Sequence, residues 1–476
     1  MAKGTASARA LNFFILYNPE FPQRTGGDAR RSTGPKLFKD GAMNLYLKKV
    51  GFFLTLLFLL CSAAAASAQM NGEAARDWSV IFRDTLQHSV LQFWIDHALD
   101  TKYGGLLGRL NRQGEPIPPG DKSVVLISRA LWSFSEAYRR YPDPAYQKMA
   151  AACSKFLRDK MWDKQRGGYY FMVSREGNVI DSTKQLNPMS YVMEGLAEYA
   201  LAFHDDQAAR EALDLFQVID QHAHDNQYGG YRIAFTEDWQ WIRDYKPGPN
   251  AAGSFGRKSY DWHLGLVEAF ATLYDVTGDA RVRSRLEELL DIFVNKIIDT
   301  DTGYGRYYFR DDWSVADRDG DSKECEYGLD LEASWLIVEA AQRVGRPQDA
   351  KIRRASLMLV DHALRDGFDN QRGGVYRYGP AAGPAKDKDM EWWQQVEALV
   401  ALLNAYQLTG DRKYWHGFDL QAHFVMDKFV DHQYGELYTT IFQGGKIDDE
   451  KVGPWKAPYH ATRACLEIIS RLGGTL

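Results

Sequence analysis

A short turn sequence built around a pair of glycines occurs six times in this chain at roughly even intervals. The copy Gln371-Arg372-Gly373-Gly374-Val375-Tyr376 shows its form: polar residues, two glycines, then β-branched or aromatic residues. Glycine supplies the positive φ of a tight turn, and the residues after it suit a short strand. The copies begin at Lys102, Gln165, Gln227, Thr302, Gln371 and Gln433. Repetition at this spacing is typical of repeated supersecondary units, so the sequence predicts six units of one kind.

The segments between the glycine turns have the apolar periodicity of amphipathic helices. Leu399, Leu402, Leu403 and Tyr406, for example, recur at steps of three and four residues. Two helices per unit, taken six times, predict an all-α (α/α)6 barrel in which six outer helices surround six inner ones. The predicted helices are 73–98, 122–140, 145–161, 185–204, 206–222, 258–276, 279–297, 326–344, 347–366, 391–408, 412–430 and 456–472.

The N-terminal part of the chain is predicted to lie outside the barrel. Residues 1–42 are basic with scattered glycines and prolines, and we interpret them as an untranslated or disordered extension. Residues 43–68 have the pattern of a secretory signal: two lysines, the apolar run Val50–Leu60, and a small-x-small cleavage site at Ala66–Ala68. A membrane anchor is the alternative, but the apolar run is short for a span. The sequence therefore predicts one barrel domain over 69–476, exported to the periplasm or secreted.

Charge and cysteine content narrow the classes of partner. A net charge of −5 with interspersed signs argues against nucleic acid or an anionic membrane. Cys153, Cys325 and Cys465 follow the signal, are odd in number and lack metal-ligand spacing, so neither a disulfide framework nor a metal site is predicted. A closed barrel of this size needs no partner for stability, so a monomer or a homodimer is expected.

Polar and aromatic residues gather where the second helix of each unit begins. In a closed ring these helix starts face one mouth of the central cavity, and their N-termini direct partial positive charge toward it. A mouth of this composition predicts a small polyhydroxylated ligand. The residues concerned are Arg129, Lys184 with Asn187 and Tyr191, Lys258 with His263, Tyr327 to Glu332, Trp392 with Trp393, and Trp455 to Arg463.

At these positions the chain resembles the N-acylglucosamine 2-epimerase superfamily, and within it the cellobiose 2-epimerase-like branch. The matching stretches are Lys122–Tyr138, Tyr327–Ile337, Trp392–Leu403 and Gly453–Glu467. The resemblance extends over essentially the whole chain after the signal, and the last stretch is the most specific. It implies an (α/α)6 barrel, in agreement with the repeat count. It also implies epimerisation at C2 of a reducing sugar, or aldose–ketose isomerisation, without metal or nicotinamide cofactor.

The resemblance further implies roles for individual residues. His460 would exchange the C2 proton through a cis-enediol, Arg129 would stabilise the negative charge that develops on oxygen, and Glu332 would bind sugar hydroxyls or support a histidine. These residue types suit the chemistry, because it needs a base that titrates near neutral pH and a fixed cation beside the enediolate. The expected sugar contacts are Trp335, Trp392, Trp393, Trp455, Tyr191, Asn187 and Lys184.

Two positions depart from the family pattern. Leu329 stands where the family normally has a histidine, and leucine cannot exchange protons. The third inner helix, where the family shows an asparagine and one or more histidines, here reads Asp261-Trp262-His263-Leu264-Gly265. Epimerisation requires a base on each face of C2, whereas His460 alone can carry out isomerisation on one face. The chain is therefore expected to lean toward isomerisation, unless His263 or a carboxylate such as Glu332 acts as the second base opposite His460.

Two further function classes stay open at the level of sequence. A hydrolase or lyase on the same type of barrel would use a pair of carboxylates. The carboxylates at the predicted mouth are Asp261, Glu268, Glu326, Asp330, Glu332 and Glu397. A non-catalytic sugar-binding relative would lose a catalytic histidine and keep the tryptophans. Among sugars, the tryptophans favour a β-linked disaccharide over a free N-acyl sugar.

Overall fold

An aspartate and an antiparallel β-bridge close each of the six glycine turns. Asp225 shows the arrangement: its Oδ1 accepts hydrogen bonds from the N–H groups of Gln227 and Tyr228 at 3.0 and 3.4 Å. Gly229 and Gly230 follow with φ of 73° and 72°, in the left-handed region that glycine favours. The predicted turns are therefore confirmed. The equivalent aspartates are Asp100, Asp163, Asp225, Asp299, Asp369 and Asp431.

The computed structural model describes residues 77–243, 257–316 and 324–473, which belong to one unit, Met70–Leu476. The predicted extension 1–42 and signal 43–68 lie outside the described residues. In the described ranges twelve helices form the predicted (α/α)6 barrel. The inner helices are α2 (Val124–Arg140), α4 (Leu186–Phe203), α6 (Tyr260–Thr277), α8 (Tyr327–Arg343), α10 (Trp392–Thr409) and α12 (Tyr459–Arg471). The outer helices are α1 (77–97), α3 (Pro144–Phe156), α5 (Asp206–Ala223), α7 (Ala280–Ile292), α9 (Ala350–His362) and α11 (Arg412–Phe424).

The inner helices form a closed ring. Each packs on the next in chain order, and α12 packs on both α10 and α2. In a ring of six, α12 therefore lies opposite α6. Among the helices of the described ranges, none has the length and hydropathy of a membrane span.

A five-residue π-helix continues four of the outer helices, at Leu157–Met161, Phe293–Ile297, Ala363–Gly367 and Val425–Phe429. With these segments included, the predicted helix bounds agree with the structure except near the chain ends. The first predicted helix, 73–98, is helical over 77–97, and residues 73–76 lie outside the described part. The last, 456–472, begins only at Tyr459. Pro458 explains this late start, because a proline disfavours the helical conformation of the residue before it.

Short antiparallel strands fix the starts of five inner helices. The strand before an inner helix pairs with the strand that follows the next glycine turn, so backbone hydrogen bonds join neighbouring units. Three pairs stand alone: β4 (Lys184–Gln185) with β5 (Ala234–Phe235), β6 (Lys258–Ser259) with β7 (Tyr308–Phe309), and β8 (Glu324–Glu326) with β9 (Tyr378–Pro380). The other two sheets have three strands each. In one, β2 (Met172–Val173) lies between β1 (Lys122–Ser123) and β3 (Val179–Asp181); in the other, β11 (Thr440–Ile441) lies between β10 (Met390–Glu391) and β12 (Ile447–Asp448).

Candidate active site

The second, sixth and ninth residues of the inner helices line the centre of the barrel. Steps of four and three residues keep these positions on one face of a helix. They build three layers, which we call upper, middle and lower. The upper layer contains Asn187, Asp261, Trp393 and His460; the middle layer contains Arg129, Tyr191, Glu332 and Glu397; the lower layer contains Trp132, Glu194, Glu268 and Trp335.

A cavity of about 330 Å³ opens at the upper layer and reaches down to Glu268. Tyr307, Glu326 and Glu391 complete its rim, together with Trp392 and Trp455. A cavity of this size, with polar groups converging on aromatic walls, suits a small polar ligand. Of the residues predicted from sequence, it brings together Arg129, Asn187, Tyr191, Glu332, Trp392, Trp393, Trp455 and His460.

His460 is buried and oriented by a carboxylate beneath it. Its Nδ1 donates to Glu397 Oε1 at 2.8 Å, and Trp335 Nε1 donates to Glu397 Oε2 at 3.1 Å. Among the described residues no group hydrogen-bonds His460 Nε2, so this nitrogen is left to exchange protons with a ligand. Burial, and then the cations of Arg129 and Lys456, hold the pKa of His460 well below its usual 6.5. The imidazole is therefore neutral at pH 7, which is the form a general base needs.

Arg463 lies under the cavity floor and contacts three carboxylates. Its Nη2 donates to Glu397 Oε1 at 2.6 Å, and the same guanidinium contacts Glu332 and Glu268. Glu332 also lies 3.7 Å from His460 Nδ1. Burial, with the nearby Glu194 carboxylate, raises the pKa of Glu332. Glu332 thus lies beside the His460 network and also lines the cavity, so both of its predicted roles stay predictions.

Arg129 is the cation of the cavity that has no carboxylate partner in the described residues. Its side chain is held by the Trp455 carbonyl, which accepts from Nη1 at 2.9 Å, and by the Tyr191 ring 4.1 Å below the guanidinium. Its Nε is buried without a hydrogen-bond partner. A fixed buried cation stabilises negative charge that develops beside it. Arg129 is thus placed to act on a ligand, since it makes no ion pair within the described residues.

His263 was predicted as a second base, and the structure contradicts this. Its Nδ1 donates to the Ser259 carbonyl at 2.6 Å and its Nε2 accepts from Tyr231 N–H at 2.9 Å, so both nitrogens are occupied. Burial lowers its pKa to about 3, and it does not line the cavity. Asp330 and Gln395 stand at the same fourth position of their inner helices and also accept the N–H that follows a glycine turn. His263 is part of the scaffold.

Lys184 was predicted to contact substrate, but it lies outside the cavity. It is fully buried, and its Nζ donates to Asp163 Oδ2 at 2.9 Å in the preceding glycine turn. Lys122 and Lys258 stand at the same place before their helices and pair with the equivalent aspartates at 3.0 and 2.8 Å. A buried lysine needs such a partner. Lys184 therefore links the preceding glycine turn to the start of α4 through its ion pair with Asp163.

Trp335 was predicted to stack on sugar, and it lies one helical turn too deep. It belongs to the lower layer and is 2% exposed. The Arg463 guanidinium carbon lies 5.1 Å from the centre of its ring. It lines a second cavity, at the other end of the barrel. Its indole orients Glu397 and through it His460, so it supports the site from below.

Comparison with known proteins places the chain in a family. The model of the family N-acylglucosamine 2-epimerase (GlcNAc 2-epimerase) matches residues 105–464. The chain belongs to this family. A cellobiose 2-epimerase of Bacteroides fragilis is 32% identical over 383 residues, covering 80% of this chain and 95% of the relative. A D-mannose isomerase of Marinomonas mediterranea is 22% identical over 406 residues, covering 83% and 98%. The solved cellobiose 2-epimerase of Bacillus thermoamylovorans superposes with a TM-score of 0.77 at 28% identity, covering 83% of this chain and 99% of that one.

Within this member of the family, Leu329 lies in the cavity wall as an apolar side chain, 5% exposed.

Glu397, the partner of His460, was noted in the sequence only as one carboxylate among several. Its position in the sequence could have identified it, because Glu397 is the sixth residue of its inner helix. Arg129, Tyr191 and Glu332 are the sixth residues of their inner helices. The rim carboxylates Glu326 and Glu391 directly precede inner helices. Glu326 was among the carboxylates that the sequence offered at the mouth, and Glu391 was found by the structure.

The lowered pKa of His460 leads to a prediction for the pH dependence of activity. The neutral base persists as pH falls until the His460 pKa is reached, and that pKa lies below 6.5. We therefore expect the acid limb of kcat/KM to lie below pH 6.5, with no loss of activity between pH 8 and 6.5 from this group. A pH profile of initial rates measures it. An acid limb centred above 6.5 would mean that another group controls the reaction.

Proposed function

We propose that this chain is an enzyme that epimerises a reducing sugar at C2 by proton transfer through a cis-enediol. The observation that carries this proposal is the neutral, carboxylate-oriented His460 in the same cavity as the unpaired cation of Arg129. A base and a fixed cation in one site are what removal of a proton beside a carbonyl requires. The names of the relatives, which are sugar epimerases and a sugar isomerase, support the same chemistry.

In the proposed reaction the open-chain sugar places its C2–H toward His460 Nε2. The nitrogen takes the proton, the C2–H electron pair becomes the C1–C2 double bond, and the aldehyde oxygen gains negative charge. Arg129 stabilises that oxygen. Glu397 holds the imidazole through Nδ1 and stabilises the imidazolium that forms. Return of a proton to the opposite face of C2 gives the epimer.

The shape of the cavity favours a sugar with an extended reducing end. Trp392 and Trp393 form one wall, and Trp455, 40% exposed, stands at the rim with Phe171 6.1 Å away. Exposed aromatic faces at a rim suit a second sugar ring outside the first. The cellobiose 2-epimerase relatives point in the same direction, so we propose a β-linked disaccharide such as cellobiose as the first substrate to try.

Deuterium uptake tests the proposal directly. The purified protein is incubated in deuterated water with cellobiose, glucose, mannose and N-acetylglucosamine, and C2 is followed by NMR. We expect deuterium at C2 together with the C2 epimer for at least one sugar. Absence of C2 exchange for every reducing sugar, in a folded protein that binds one of them, would favour the sugar-binding alternative.

Isomerisation is a second candidate, and Leu329 is the observation that favours it. With an apolar wall in place of the family's histidine, His460 alone can move the proton from C2 to C1 on one face and give a ketose. The same NMR experiment distinguishes the products, because the ketose carries no proton at C2.

We also propose that the protein acts outside the cytoplasm. The signal pattern over residues 43–68 supports this. We expect N-terminal sequencing of material recovered outside the cytoplasm to begin near Gln69. A mature protein that retains residues 1–42 would overturn both the signal and the start-site interpretations.

A further inference from the structure

Epimerisation at C2 needs a second acid–base group on the face of the sugar away from His460. Leu329 cannot supply it, and both nitrogens of His263 are occupied outside the cavity. The group must therefore be sought among the carboxylates that line the cavity. In the described residues these are Asp261, Glu268, Glu326, Glu332 and Glu391.

Three of these carboxylates are held by cations or donors. Glu268 and Glu332 contact the Arg463 guanidinium below the cavity. Glu391 accepts from Trp393 Nε1 at 2.7 Å and pairs with Arg377 at 3.0 Å. Each of these three carboxyls is thus tied to a protein cation, which fixes its position and competes with a ligand for its oxygens. Among the described lining residues, Asp261 and Glu326 are the two carboxyls without an ion pair.

Position in the ring separates these two. Asp261 is the second residue of α6, and His460 is the second residue of α12. Because α6 and α12 lie opposite each other, these equivalent positions put the two side chains on opposite walls of the upper layer. Glu326 precedes α8 and lies at the rim, outside the helix positions that form the upper layer. From these placements we propose, resting on the epimerase function above, that Asp261 is the acid–base group that faces His460 across C2.

The environment of Asp261 agrees with this role. Its side chain is half-buried, and Oδ1 has no hydrogen-bond partner in the described residues. Burial raises the pKa of Asp261 to about 6, although Ser259 and Tyr307 stabilise the charged form. Both protonation states are thus accessible near neutral pH, as a group that gives a proton in one direction and takes it in the other requires.

The proton balance of the step is complete. His460 Nε2 takes the C2 proton, and the enediolate, stabilised by Arg129, then attacks the carboxyl proton of Asp261 with its C1–C2 π pair. The new C2–H bond forms on the opposite face as the C1 carbonyl is restored. His460 ends protonated and Asp261 ionised, and exchange with solvent resets both. In the reverse direction Asp261 is the base and His460 is the acid.

The experiment compares Asp261→Asn with wild type on cellobiose and on its C2 epimer in deuterated water. Asparagine has the size of aspartate but exchanges no proton, and Asp261→Ala gives a second variant without the carboxyl. We expect inversion at C2 to fall by about 100-fold or more, the usual scale for an acid–base group. We also expect His460 to go on exchanging the C2 proton of one of the two epimers without inverting it.

Glu326→Gln is the matched control, because it removes the other unpaired carboxyl of the same cavity. Inversion should fall far less in Glu326→Gln than in Asp261→Asn, because Glu326 does not stand opposite His460. Inversion that persists in Asp261→Asn, or that is lost in Glu326→Gln instead, overturns the assignment of Asp261. If the wild type exchanges the C2 proton of neither sugar, the proposed function itself fails. C2 exchange by the wild type is therefore measured before any variant is compared.

Discussion

His460→Asn is expected to lower kcat/KM for C2 epimerisation by about 100-fold or more while the barrel stays folded. The reason is that asparagine retains a polar contact toward Glu397 but has no nitrogen that can accept the C2 proton. A 100-fold loss corresponds to about 2.7 kcal/mol of transition-state stabilisation. Initial rates and thermal unfolding, measured on the same preparation, separate loss of chemistry from loss of fold.

His263→Gln is the control for this variant. Glutamine stands at the equivalent position in α10, where Gln395 accepts the Val375 N–H at 2.8 Å, so the substitution preserves the scaffold contact. We expect it to keep activity within about threefold of wild type. If His460→Asn stays active and His263→Gln does not, the roles assigned here to the two histidines are reversed.

Arg129→Gln is expected to lower kcat by about 100- to 1000-fold, the range observed when a group that stabilises an oxyanion is removed. Glutamine keeps a hydrogen-bond donor on a shorter side chain, so the variant removes the charge and keeps part of the polar character. Since the cation acts on charge that appears only during reaction, the loss should fall on kcat more than on KM.

Arg129→Lys accompanies it as the charge-preserving variant. Lysine keeps the positive charge but lacks the planar group that stacks on Tyr191, so we expect partial recovery. Steady-state kinetics on cellobiose provide the comparison. A loss confined to KM, equal in both variants, would mean that Arg129 only binds substrate.

The six glycine turns were sufficient to predict the architecture, because a repeated turn fixes how many units must close into a ring. The same repetition separates scaffold from site. Lys184 has counterparts in Lys122 and Lys258, and each pairs with a turn aspartate. A residue type that recurs at the equivalent position of several units has a structural role that is common to those units.

The residues that line the cavity differ in type between equivalent positions of the inner helices. Arg129 and Glu332 both occupy the sixth position of an inner helix, and Asp261 and His460 both occupy the second. Sequence alone could not assign Asp261, since its position opposite His460 depends on ring closure between helices far apart in the chain. Sequence alone also could not show how deep in the barrel Trp335 lies, because that depth depends on the residue at which α8 begins.

Closure of the ring by α12 has a consequence for how the active site is completed. This helix is the last in the described chain, and it carries both His460 and Arg463. The ring cannot close without it, and until it docks the polar centre lacks its base and the cation that contacts three carboxylates. Docking of α12 supplies both at once. Catalytic competence and closure of the ring therefore arrive in a single step.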